Sequence, residues 1–194
     1  MRLLLATSIA LFLFSSCSQN ALSGKRQFTL LPESELQNMA NTQYRQFLSD
    51  KRIVNTSYNG DAAMVNRVGE RVIRAVNKLY AEKGLTDRLK GFDWEVNLVQ
   101  DNQINAWCMP GGKIVVYTGL LPITQNEEAL AAVMGHEVCH ALLQHGNQRM
   151  SQALVQQMGG AALSVALSNR PQETRNLFML AYGVGTQVGV MLPF

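Results

Sequence analysis

An α+β fold, mainly helical with a small β-sheet and hairpin packed beside one central helix, is predicted by three features of the 194-residue chain. Apolar residues recur at helical spacing through residues 34–48 and 61–83, the mark of amphipathic helices. Between residues 94 and 117 the period shortens, and β-branched residues gather around a Pro110-Gly111-Gly112 turn signal, which predicts strands and a hairpin. Helical patterning then returns after Thr124. A hydrophobic fraction of 47% and a charged fraction of 16% suit one folded domain, and a formal charge of +3 makes no electrostatic case for a nucleic-acid partner.

Residues 1–16 read as an export signal outside the fold. Arg2 gives a positive start, Leu3 to Phe14 is an apolar run too short to span a bilayer, and Ser15 and Ser16 precede a cysteine. This resembles a bacterial lipoprotein signal, in which Cys17 becomes the lipidated first residue; an ordinary secretory signal cleaved nearby is the other reading. Ser18 stands where sorted lipoproteins kept at the inner membrane carry aspartate, so the resemblance points to an outer-membrane anchor facing the periplasm. Residues 17–32 lack helical period and are expected to form a lipid-anchored tether, with order beginning near Pro32 and the folded domain occupying 33–194.

From Ser34 to Leu48, Leu36, Met39, Ala40, Tyr44 and Phe47 share one helical face. From Asp61 to Lys83, Ala63, Val65, Val68, Val72, Ile73, Val76 and Tyr80 are expected inward and Arg67, Glu70, Arg71 and Lys78 outward, with Gly84 ending the helix. Strands are expected over Trp94–Val99, Ile104–Cys108 and Lys113–Tyr117. Thr124-Gln125-Asn126 opens a long helix, Glu127 and Glu128 complement its dipole, and Gly146 is expected to close it. Residues 150–167 and 174–190 look helical, broken at Asn169-Arg170-Pro171; their glutamines and short length argue for close packing rather than membrane spans. With Cys17 lipidated, Cys108 and Cys139 either pair in the oxidising compartment or are buried singly.

The chemistry lies in His136-Glu137-Val138-Cys139-His140. Residues four apart lie one above the other on a helix, so both imidazoles can face one metal ion, and two neutral imidazoles suit zinc. Zinc lowers the pKa of a bound water from about 15.7 to about 7, and Glu137, beside the first ligand, is placed to take its proton and later hand it to a leaving amine. The bland alternative is two histidines satisfied by backbone or water. With 3 histidines in the chain, chance seldom sets two of them at this spacing around a glutamate. At about 100° per residue, His145 projects about 180° from His136 and about 140° from His140, so it is expected to face away from the site. Cys139, about 60° from His136, is expected to pack behind it.

The run Ile104-Asn105-Ala106-Trp107-Cys108-Met109-Pro110-Gly111-Gly112-Lys113-Ile114-Val115-Val116-Tyr117-Thr118-Gly119-Leu120-Leu121, then Asn126-Glu127-Glu128-Ala129-Leu130 and the HExxH helix, resembles the gluzincin metallopeptidases of the HtpX and CAAX prenyl protease type, in their periplasmic lipoprotein branch. The resemblance implies a zincin-like domain with one Zn2+ per chain, held by His136 and His140, and Glu137 as catalytic base. It implies that an extended polypeptide substrate adds to an open strand edge at Asn105 and Ala106. It further implies a third zinc ligand from a Glu-x-x-x-Asp segment following a stretch like Met191-Leu192-Pro193-Phe194, which is expected beyond Phe194. Glu173 has Leu177 four positions on in place of aspartate and is not a candidate. The expected function is zinc-dependent endopeptidase action on misfolded envelope proteins; the alternative is a non-catalytic peptide-binding or chaperone-like lipoprotein on the same fold.

Overall fold

A computed structural model describes residues 17–57, 59–158, 171–182 and 184. The predicted export signal, the third-ligand region and parts of the two terminal helices lie outside the described residues.

The segment expected to be a tether is folded. Strand β1 (Cys17–Gln19) pairs antiparallel with β2 (Arg26–Phe28) in a hairpin. Asn20 Oδ1 accepts the backbone N–H groups of Leu22 and Ser23, and Gly24 takes a φ of 69° to complete the turn. These strands are three residues each, too short for a readable period, so tertiary contacts rather than pattern define them.

Helix α1 (Glu33–Ser49) buries Leu36, Ala40, Tyr44 and Phe47. Helix α2 (Gly60–Glu82) is opened by Asn59, whose side chain accepts the N–H groups of Asp61 and Ala62. It closes as expected at Gly84, with φ 66° and the Leu85 N–H donating to Tyr80 C=O at 2.8 Å. Its buried stripe is Ala62, Val65, Val68, Gly69, Val76 and Tyr80, so Ala62 faces the core where Ala63 was expected.

A three-stranded sheet follows in the order β3-β5-β4. β3 (Glu95–Val99) runs parallel to β5 (Lys113–Tyr117), and β4 (Ala106–Met109) is antiparallel to β5 through the Gly111-Gly112 turn. Gly112 has φ 83°, and a Cβ there would stand 2.5 Å from the Trp94 ring, so only glycine closes this hairpin. After the short helix α3 (Leu121–Thr124) come α4 (Glu127–Leu142), α5 (His145–Met158) and α6 (Pro171–Ala181). No described helix is long and apolar enough to cross a membrane.

Helices cover both faces of the sheet. Ala106, Cys108, Ile114 and Val116 meet α2 and α4 in one core; Trp107, Met109, Val115 and Tyr117 meet α1, α5 and α6 in the other. Burial on both faces explains why β4 and β5 read as continuous apolar runs instead of alternating. The Trp107 ring lies edge-on to Phe47 and Tyr44, with centroids 5.1 and 6.2 Å away. Lys113 is the exception on β5: its buried ammonium donates to Asp93 and Glu95 carboxylates at 2.8 and 2.7 Å, pinning the start of β3 to β5.

Candidate metal centre

Helix α4 carries the site. Asn126 caps it by accepting the Ala129 N–H at 2.8 Å, and Glu127 pairs across to Arg67 and Arg71 of α2. Leu130, Met134, Val138, Ala141 and Leu142 anchor one face in the core, which turns His136 outward and leaves His140 half-buried.

The two imidazoles converge. His136 Nε2 lies 2.9 Å from His140 Nε2, and the rings stand at 81° with centroids 4.5 Å apart. Two nitrogens at that spacing, each bonding a common ion at about 2.0–2.1 Å, would subtend about 90°, so a small opening of the pair reaches tetrahedral geometry. The donor set therefore fits zinc or a similar metal. Burial, then the neighbouring His136, His145 and Arg149, push His140 down to about 4, which keeps its imidazole neutral as ligation requires. Among the described residues no group of three or more His, Cys, Asp and Glu side chains forms a metal cage.

Glu137 is 5% exposed, and burial pushes its carboxyl up to about 7 against the opposing charge of Arg149. Its charge is felt by Cys108 on β4, whose thiol burial pushes up in turn. A carboxyl poised near neutral pH suits a group that must both take and return a proton.

Three expectations are corrected here. His145 does not face away: its Nδ1 lies 2.6 Å from His140 Nδ1. The helical projection fails because the helix ends at Leu142, Gln144 takes a left-handed φ of 55°, and α5 begins at His145. Gly146 consequently lies in the first turn of α5 and does not close α4; a side chain there would meet Tyr182. Cys139 is exposed instead of packed behind the site, and both it and the buried Cys108 are free thiols.

Ala106 opens β4, an outer strand of the sheet, with Asn105 just before it, and both are buried, Asn105 at 2% and Ala106 at 1% exposure. Helices on both faces of the sheet account for this. The Asn105 carbonyl accepts the Tyr117 N–H at 3.0 Å. Cys17 opens β1, whose hairpin reaches the far end of α4: Asn20 Nδ2 donates to Leu142 C=O at 3.2 Å and Gln27 Nε2 to Leu143 C=O at 2.6 Å. Sequence reasoning missed His145 and these two amides. The left-handed Gln144 carries no glycine signal, and the amide contacts span 122 and 116 residues.

The family model described as Peptidase family M48 matches residues 66–194. The chain is 29% identical over 142 residues to the mitochondrial metalloendopeptidase OMA1 of Schizosaccharomyces pombe, a match covering 72% of this chain and 39% of that protein. It is 48% identical over 60 residues to the protein of the same name from Arabidopsis thaliana, covering 31% of this chain and 12% of the relative. Over 67 residues it is 33% identical to the beta-barrel assembly-enhancing protease of Escherichia coli, covering 34% and 13% respectively. The chain thus spans less than half the length of these curated relatives.

Proposed function

Because the chain belongs to peptidase family M48, we propose that it is the metal-binding part of a zinc metalloendopeptidase, with His136 and His140 as zinc ligands and Glu137 as general base. The observation that carries this reading is the 2.9 Å convergence of the two Nε2 atoms beside a buried carboxyl held near pH 7. When bound, zinc supplies Lewis acidity, which makes a water molecule acidic near neutral pH. The Glu137 carboxylate would hold the proton released by that water and return it to the departing amine nitrogen. Burial keeps the Glu137 carboxyl desolvated and its proton affinity high.

The finer reading is an enzyme of the HtpX and CAAX prenyl protease type, exported and anchored through lipid on Cys17 to the outer membrane, facing the periplasm. Its substrates are extended, misfolded envelope polypeptides that add along β4 near Asn105 and Ala106. The similarity to a protein named for enhancing β-barrel assembly supports an envelope setting, and the cysteine after the apolar leader supports the anchor. Labelled palmitate should enter the wild-type protein and not Cys17→Ser; equal labelling removes the anchor.

The activity is tested in the full gene product. Stoichiometric zinc should be lost in His136→Ala, and casein cleavage should fall at least about 100-fold in Glu137→Gln while zinc is retained. Equal, metal-independent behaviour of wild type and Glu137→Gln would instead make this a non-catalytic peptide-binding lipoprotein.

A further inference from the structure

The corner between α4 and α5 is built from parts remote in sequence. A non-glycine residue in the left-handed region persists where its surroundings hold it, and Gln144 has φ 55°. The carbonyls just before it are the last of α4, which have no partner within their own helix. Asn20 and Gln27, 8% and 5% exposed, supply side-chain N–H groups to Leu142 and Leu143. Asn20 is itself fixed, since its oxygen accepts the backbone of Leu22 and Ser23 in the hairpin turn. The first turns of α5 are stitched to the same N-terminal segment: Asn147 Nδ2 donates to Leu31 C=O and the Leu30 N–H donates to Ser151 Oγ, both at 2.9 Å.

This corner sets His145 Nδ1 2.6 Å from His140 Nδ1, while the other nitrogen of His140 faces His136. A metal ligand must present a bare Nε2, so His140 carries its hydrogen on Nδ1 and donates it to His145, whose own hydrogen then lies on Nε2. One contact thereby selects both the tautomer and the ring orientation of His140. We propose that His145 is a positioning residue of the metal centre, orienting His140 through its Nδ1, and that Asn20 and Gln27 of the N-terminal hairpin hold it there. The proposal rests on zinc binding by His136 and His140.

The test measures zinc dissociation constants for the full gene product by chelator competition at fixed pH, alongside the imidazole N–H proton spectrum of the zinc-loaded protein. His145→Ala should weaken zinc binding about 10–100-fold and abolish the downfield Nδ1–H resonance of His140. His145→Asn, whose side-chain carbonyl can accept the same hydrogen, should restore part of the affinity and the resonance. Asn20→Ala combined with Gln27→Ala should weaken zinc in the same direction, with both histidines intact. A His145→Ala affinity within twofold of wild type, or an unchanged Nδ1–H resonance, overturns the positioning role, even where His136→Ala loses zinc. Equal loss in His145→Ala and His145→Asn, accompanied by a lowered metal-free unfolding midpoint, also overturns it, as a purely structural effect. If wild type itself binds no zinc, the metalloendopeptidase reading falls first and this proposal falls with it.

Discussion

Glu33 shows how a single buried carboxyl ties stability to pH. It sits in the first turn of α1, half-buried, and burial pushes its carboxyl from 4.5 to about 7. Below pH 4.5 it is protonated in both the folded and the unfolded chain and makes no difference. As pH rises toward 7, the unfolded chain releases the proton more readily, so stability is lost through that window. Glu33→Gln should therefore match wild type near pH 4 and exceed it by about 1–2 kcal/mol at pH 8 in urea denaturation. An equal pH slope for the two proteins would refute the assignment. At this scale the candidate site was largely readable: the four-residue spacing of His136 and His140 and the position of Glu137 follow from helical geometry. The burial of Glu137, which sets its proton affinity, has no local signature.

At the scale of elements, the α4–α5 corner decides the geometry behind the site. A Cβ on Gly146 would stand 2.2 Å from the Tyr182 ring, which bears on the opening turn of α5. Gly146→Ala should cost about 1–3 kcal/mol through overpacking. Gly135, inside α4, has nothing within 4 Å of its would-be Cβ. Gly135→Ala should gain about 0.5–1 kcal/mol, since glycine weakens a helix interior. Chemical denaturation of the pair checks both signs; a stabilising Gly146→Ala would mean that Tyr182 does not pack there. The start of α4 was legible because Asn126 is a side-chain cap next to its helix. The end of α4 has no local signal, because its stop is a left-handed glutamine that follows two carbonyls capped by amides from the hairpin.

Across the whole molecule, one sheet serves two cores, so damage to either should be felt in both. Trp107 belongs to the α1, α5 and α6 side, and Ile114 to the α2 and α4 side. Trp107→Ala should cost about 3–5 kcal/mol and Ile114→Ala about 2–5 kcal/mol. In Trp107→Ala, the fluorescence of Trp94, which packs against the opposite core, should report the same lowered midpoint as far-UV circular dichroism. A Trp94 transition left at the wild-type midpoint would show that the two cores unfold separately. The N-terminal hairpin belongs to this scale too, for it joins the first described residues to the end of α4.

The sequence by itself determined the α+β class, α1, α2 and α4, the hairpin of β4 and β5, and the pairing of His136 with His140 across one helical turn. Each depends on residues within one or two turns or strands, where period and capping act directly. Tertiary structure alone decided the docking of residues 17–31, the burial of Asn105 and Ala106, the charge environment of Glu137, and the approach of His145 to His140. These rest on contacts between distant segments and on one left-handed residue held by its neighbours, and neither leaves a periodic trace in the chain.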